Sequence, residues 1–193
     1  MIQLSGISAG YGDKEVLHGL TLSLPEKGAV ALMAPSGYGK TTLLRVLAGL
    51  NPLWAGSITG WENRKISFLF QEDRLLPWCS ALQNVALVSD EKKARHWLAD
   101  MEIENPALLP REMSGGMQRR VALARAMAFG GDALLLDEPF KGLDEALRAR
   151  VASRIRGRFP LTVLSVHDGA EAELMDAKIV RLERFNQPSG GGI

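Results

Sequence analysis

The chain has 193 residues, enough for one domain with a substantial buried core. Its formal net charge of +1 and scattered Lys and Arg give no electrostatic case for nucleic acid or an anionic membrane. A single cysteine, Cys79, excludes an internal disulfide framework and fits a reducing compartment.

Met1-Ile2-Gln3-Leu4 begins directly with strand-like alternation, so no secretory signal is expected. Apolar runs such as Ala29–Pro35 are far short of the ~20 residues of a membrane span, and the chain is expected to be soluble. Ile2, Leu4 and Ile7, then Leu20, Leu22 and Leu24, alternate with period two around the turn Gly10–Asp13. After a second turn at Pro25–Gly28, Ala29–Met33 is an all-apolar strand of the kind buried on both faces.

Ala34-Pro35-Ser36-Gly37-Tyr38-Gly39-Lys40-Thr41-Thr42 follows that strand and leads into an amphipathic helix, Lys40–Leu50. Strand, Gly-rich turn, Lys-Thr and helix is the order of a phosphate-binding loop. Glycines let backbone N–H groups turn inward around phosphate oxygens. Lys40 can reach the β- and γ-phosphates and Thr41 can hold Mg²⁺. The first glycine of the usual pattern is replaced by Ala34, which would cost about 1 kcal/mol or more if that position needs φ > 0. An ordinary strand-turn-helix corner would fit this stretch equally well.

Short strands are expected at Gly56–Thr59 and Ile66–Phe70. From Pro77 to Gly130 the pattern is helical. Ser80 to Gln83 has capping-box spacing, opening a helix to about Val88. Asp90 caps Glu91–Met101, and Ser114 opens a third helix. Within it Arg119, Arg120 and Arg125 read as a solvated face. Leu134–Asp137 and Leu161–Val166 are strands, Asp144–Arg158 and Gly169–Met175 helices, and Lys178–Leu182 a last strand; Asn186 to Ile193 reads as a frayed tail. The whole is an α/β fold, a mostly parallel sheet with helices on both faces.

Several stretches lie where an ATPase needs them. The buried strand before Asp137-Glu138-Pro139 brings two acids to its C-terminal tip. There Asp137 would bind Mg²⁺, directly or through water, and Glu138 would act as general base. Met113-Ser114-Gly115-Gly116-Met117 offers a hydroxyl and unhindered N–H groups to an anion, or is a capped helix with a flexible entry. His167 and Gln71 end strands and point to a γ-phosphate and to Mg²⁺ or water. Asp144 is a further candidate or only a helix cap; Tyr11 stacks on a base or packs in its hairpin. His18 and His96 read as structural.

Taken in order, these stretches resemble the nucleotide-binding subunit of ATP-binding cassette (ABC) transporters, from Tyr11 to about Arg184. Ala34–Thr42 resembles the Walker A motif, Gln71 the Q-loop, Met113–Met117 the signature motif and Leu134–Glu138 Walker B. Gly142-Leu143-Asp144 resembles the D-loop, His167 the switch histidine and Tyr11 the aromatic A-loop residue. The resemblance implies a P-loop NTPase fold with an N-terminal antiparallel β-lobe and an inserted helical subdomain at 77–130. Residues 1–76 and 131–184 would form the nucleotide-binding core, and 185–193 a flexible tail. It further implies a head-to-tail homodimer with shared ATP sites. Ser114, Gly115 and Gly116 would serve the partner's nucleotide, and Asp144 would link the sites. ATP closes the dimer, hydrolysis reopens it, and permease subunits take up the motion at the inner face of the cell membrane. The segment Gln71–Trp78, with Met117 in the signature, resembles the importer branch serving nitrate, sulfonates, taurine and pyrimidine-like vitamin precursors, which works with an extracytoplasmic solute-binding protein.

Several residues depart from the family pattern: Ala34, the bulky Tyr38, Lys141-Gly142 in place of Ser-Ala, and Arg119 where Gln is usual. The β-lobe around Leu53–Lys65 and the helical insert read as trimmed. A soluble cassette ATPase acting on DNA or ribosomes, or a poorly hydrolysing regulatory module, are the rival readings.

Overall fold

The computed structural model describes residues 1–182; the tail expected at 185–193 lies outside them. Two hairpin strands, β1 (Ile2–Tyr11) and β2 (Lys14–Leu24), pair antiparallel, with Tyr11 opposite Lys14 across a two-residue turn. β4 (Ala55–Thr59) adds to the other edge of β1, giving an antiparallel sheet of order β2-β1-β4. The inward residues Ile2, Leu4, Ile7, Leu20, Leu22 and Leu24 are buried, as their alternation predicts.

The second sheet comprises β3 (Gly28–Met33), β5 (Ile66–Leu69), β6 (Ala133–Leu136), β7 (Leu161–Val166) and β8 (Lys178–Arg181). Its order is β5-β6-β7-β3-β8, and every pairing is parallel. All four residues of β6 and all six of β7 are buried, because both faces of the sheet are covered. Val30, Leu32, Ala133, Leu135, Leu161 and Val163 face a core shared with the antiparallel sheet and with α1 (Lys40–Leu47). Ala31, Leu134, Leu136, Leu164 and Val166 face a second core. That core is built with α2 (Ala81–Ala86), α3 (Glu91–Asp100), α4 (Gly115–Phe129) and α5 (Glu145–Ile155). A short α6 (Gly169–Leu174) follows β7.

Local chemistry sets the helix ends. Ser80 and Gln83 form the expected capping box: the Gln83 N–H donates to Ser80 Oγ at 3.2 Å, and the Ser80 N–H to Gln83 Oε1 at 2.8 Å. Asp90 caps α3 through the Lys93 N–H at 2.8 Å. α1 stops at Leu47, three residues short of the expected end. Gly49 turns left-handed there, at φ 69°, and the Leu50 N–H folds back onto the Arg45 carbonyl at 2.8 Å.

The parallel register decides where function can sit. Met33 pairs with Val166, Leu136 with Leu164, and Leu69 with Leu136. The chain segments leaving β3, β5, β6 and β7 therefore emerge together at one sheet edge, the place where ligands bind in such sheets.

Candidate nucleotide site

The loop from Ala34 to Gly39 crosses that edge between β3 and α1. Gly37 and Gly39 adopt φ of 86° and 88°, a conformation side chains rarely take, so these two positions require glycine. Ala34 does not share it. It is absent from the residues of positive φ and is buried, so the missing glycine brings no backbone strain. Lys40 is buried, and its ammonium donates to the carbonyls of Ala34 at 2.5 Å and Pro35 at 3.2 Å.

One residue further on, the Thr41 hydroxyl donates to Asp137 Oδ1 at 3.1 Å. Asp137, at the tip of β6, is 1% exposed. Burial pushes its carboxyl above the ordinary range, and hydrogen bonds from Ser165 and Thr41 only partly oppose that. The Thr41 hydroxyl and the buried Asp137 carboxylate, which forms no ion pair among the described residues, are a pair of oxygen donors that suits a hard divalent ion such as Mg²⁺.

Glu138 is held in the left-handed region at φ 50°. Its N–H donates to Ser165 Oγ at 2.9 Å, and the same Ser165 hydroxyl donates to Asp137 Oδ1 at 2.8 Å. Its carboxylate meets His167 Nε2 at 3.2 Å, while Lys141 Nζ lies 3.8 Å away on the other oxygen. Thus β6 supplies the two acids, and β7 supplies both the hydroxyl that fixes them and the imidazole beside them.

A cleft of about 530 Å³ opens over this edge, lined by Ser36, Gly37, Gly39, Lys40, Thr41, Thr42, Gln71 and Glu138, with Tyr11 on the hairpin side. The Thr42 hydroxyl lies 3.4 Å from the Tyr11 hydroxyl, and the Arg45 guanidinium sits 5.6 Å from the Tyr11 ring centre. Lys14, Glu15, Val16 and His18 of β2 extend the same wall; His18, read as structural, is thus at the cleft. Tyr38 stands outside this lining and is 42% exposed.

The chain does not bring every expected residue here. Ser114 caps α4 as expected, with Gly115 and Gly116 in its first turn, and the three do not line the cleft. The Ser114 hydroxyl accepts from the Met117 N–H at 3.2 Å, capping its own helix. Asp144 likewise caps α5, accepting from the Leu147 N–H at 2.9 Å. Gly116 packs close to the Gly142 carbonyl, which a Cβ on Gly116 would approach to 3.3 Å.

The expected solvated face on α4 is not one. Arg119 is 3% exposed and donates to the Asp137 and Glu138 carbonyls at 2.5 and 2.7 Å. Arg120 donates to the carbonyls of Met101 and Glu102, both at 2.8 Å, and Arg125 to those of Asp73 and Arg74 at 2.7 and 2.9 Å. Their acceptors come from segments remote in sequence, so helical spacing alone gave no sign of them. Ser165 was also missed, its one signal being a hydroxyl in the otherwise apolar tip Val163-Leu164-Ser165-Val166.

The profile of the ABC transporter family matches residues 17–141. The aliphatic sulfonates import ATP-binding protein 1 of Pseudomonas syringae pv. syringae is 38% identical over 180 residues, covering 88% of this chain and 75% of the relative. The corresponding Zymomonas mobilis protein is 40% identical over 197 residues, covering 95% of this chain and 82% of the relative. Among solved structures, a dimeric ATP-binding cassette in a post-hydrolysis state, bound to ADP and Pi, superposes with a TM-score of 0.82. It shows 26% identity, and the match covers 94% of both chains. A dimeric bacterial ABC transporter cassette gives 0.81 and 26%, covering 94% of this chain and 95% of that one.

Proposed function

The chain belongs to the ABC transporter family, and from that premise we propose how its residues divide the work. It is the ATP-binding, ATP-hydrolysing subunit of an importer. The observation that carries the assignment of roles is the meeting of Thr41, Asp137, Glu138 and His167 at one sheet edge.

Among the described residues, 1–76 and 131–182 form the nucleotide core, and 77–130 the helical unit that communicates with the membrane. Tyr11 stacks on adenine. Ser36, Gly37, Tyr38, Gly39 and Thr42 present the loop to the phosphates. Lys40 exchanges the Ala34 and Pro35 carbonyls for β- and γ-phosphate oxygens. Thr41, Asp137 and Gln71 would hold Mg²⁺, which when bound would supply positive charge against the phosphates. Glu138 accepts a proton from the attacking water as its oxygen bonds to the γ-phosphorus and the bond to the bridging oxygen of ADP breaks. His167, in contact with Glu138, faces the terminal phosphate.

The signature residues Ser114, Gly115 and Gly116 stand apart from their own chain's cleft, and both solved cassettes quoted above are dimeric. This supports a head-to-tail pair of identical copies, each completing the other's site, with Asp144 between them. An apolar groove between β5, α2 and α4, lined by Phe68, Phe70, Leu76, Leu87, Val88 and Phe129, receives the permease. No helix among the described residues is long and apolar enough to cross a membrane. Membership of the family of import ATP-binding subunits supports a chain that works from the cytoplasmic face through permease subunits, together with an extracytoplasmic solute-binding protein. The relatives' names make an aliphatic sulfonate the leading solute class, chosen by those other subunits. The charge balance argues against a nucleic-acid role.

Glu138→Gln is the direct test. The variant should bind Mg·ATP, release phosphate at least about a hundredfold more slowly, and elute as an ATP-bound dimer in size-exclusion chromatography. Turnover at the unsubstituted rate would remove Glu138 as the base.

A further inference from the structure

Arg119 lies where three segments meet. Nη1 donates to the Phe70 carbonyl at 2.7 Å and to Asp73 Oδ1 at 2.8 Å, with the Gln71 carbonyl at 3.5 Å. Nη2 donates to the carbonyls of Asp137 and Glu138. One arm of the fork therefore holds the Gln71 segment and the other holds the pair of acids. A buried charge is costly unless paired and hydrogen-bonded; here Asp73 and the carbonyls satisfy both Nη groups, while the buried Nε has no hydrogen-bond partner among the described residues.

The local backbone makes the grip specific. Ser165 takes the Glu138 N–H and Arg119 takes the Glu138 carbonyl, so both polar groups of that left-handed residue are fixed. Six residues along α4, Arg125 holds the Asp73 and Arg74 carbonyls. A planar five-donor guanidinium can serve two segments at once. A lysine ammonium is a point charge, and a glutamine amide has two donors and no charge.

We propose that Arg119 is a positioning residue for hydrolysis, fixing Gln71 and Glu138 relative to each other so that phosphate sensing and water activation share one geometry. The inference rests on the reading of Glu138 as general base. It concerns kcat more than nucleotide affinity, because Arg119 reaches the backbone behind the site and does not line the cleft.

The test compares Arg119→Lys, Arg119→Gln and Asp73→Asn with Glu138→Gln in the full-length chain. It measures phosphate release against ATP concentration, melting midpoints, and hydrogen exchange of the amides at 70–74. Arg119→Lys and Arg119→Gln should lower kcat about ten- to a hundredfold, the scale of an ångström-level misplacement, with KM moving less than about threefold. Exchange at 70–74 should quicken. Should those variants fail to fold, Asp73→Asn decides. It alters a partly exposed side chain, keeps Arg119, and should lower kcat about threefold or more through the lost charge-assisted bond. Folded variants that turn over within about twofold of the unsubstituted chain, or that change KM and not kcat, overturn the proposal while a slow Glu138→Gln leaves the general base standing. A fully active Glu138→Gln overturns both.

Discussion

Ser165→Ala isolates the joint between the two acids. The hydroxyl is fully buried and makes two bonds: it donates to Asp137 Oδ1 at 2.8 Å and accepts from the Glu138 N–H at 2.9 Å. Alanine removes one atom and leaves both partners short. The Glu138 N–H, part-buried, loses its acceptor at a cost of about 1–2 kcal/mol, and weakening the buried bond to Asp137 adds about 1 kcal/mol. A loss of about 2–3 kcal/mol lowers the melting midpoint of a chain of this size by roughly 5–10 °C. Activity should suffer as well. Glu138 occupies a conformation that non-glycine residues rarely adopt and that persists only where its surroundings impose it. Released from Ser165, its carboxylate should lose its place beside His167, and kcat should fall about tenfold or more. The assay is a nucleotide-free thermal melt paired with steady-state phosphate release. A midpoint within about 2 °C of the unsubstituted protein, with kcat within about twofold, would refute this account of the joint.

Asp137→Asn should stabilise the nucleotide-free protein while abolishing stabilisation by Mg·ATP. Both hydroxyls donate to Oδ1, an acceptor that asparagine retains, and the variant carries no charge into a buried place. Because burial raises the folded pKa of Asp137, its favourable contribution is present below the unfolded pKa and is lost as pH rises through the folded one. The melting midpoint of the variant should therefore exceed that of the unsubstituted protein by a few degrees at pH 7–8, about 1 kcal/mol, and the gap should close on acidification; a lower midpoint at pH 8 would contradict this. Ala34→Gly restores the usual motif residue, yet should leave ATP affinity unchanged within about twofold and cost about 0.5–1 kcal/mol through unfolded-chain entropy. A severalfold gain in affinity in a titration would show that the loop is strained after all.

The strands and helices were legible because their causes are local. Alternation in Ile2–Tyr11, the unbroken apolar runs of β3 and β6, and the caps Ser80, Asp90 and Ser114 are all written within a few residues. The loop, the acids, Gln71 and His167 were legible as spaced motifs, and the parallel register brings their segments to one edge. Arg119 was misread because its acceptors belong to β5's exit and β6's tip, 46 to 49 and 18 to 19 residues away. Nothing near Arg119 in sequence distinguishes it from a solvated arginine. Ser165 was invisible for the same reason: a hydroxyl in a strand acquires meaning only when the neighbouring strand is known. The end of α1 is a third kind of miss, where helical periodicity runs on while Gly49 turns the backbone out of the helix.

The two carbonyls that receive the Lys40 ammonium have a kinetic consequence. Under the proposed role of Lys40, these carbonyls would take the place of phosphate oxygens whenever the site is empty, giving the ammonium partners between rounds. Arrival of ATP would then be a swap of oxygen partners at one nitrogen, and departure of ADP the reverse swap. A subunit built this way would work like a turnstile, its lysine returning to the same two oxygens after every passage.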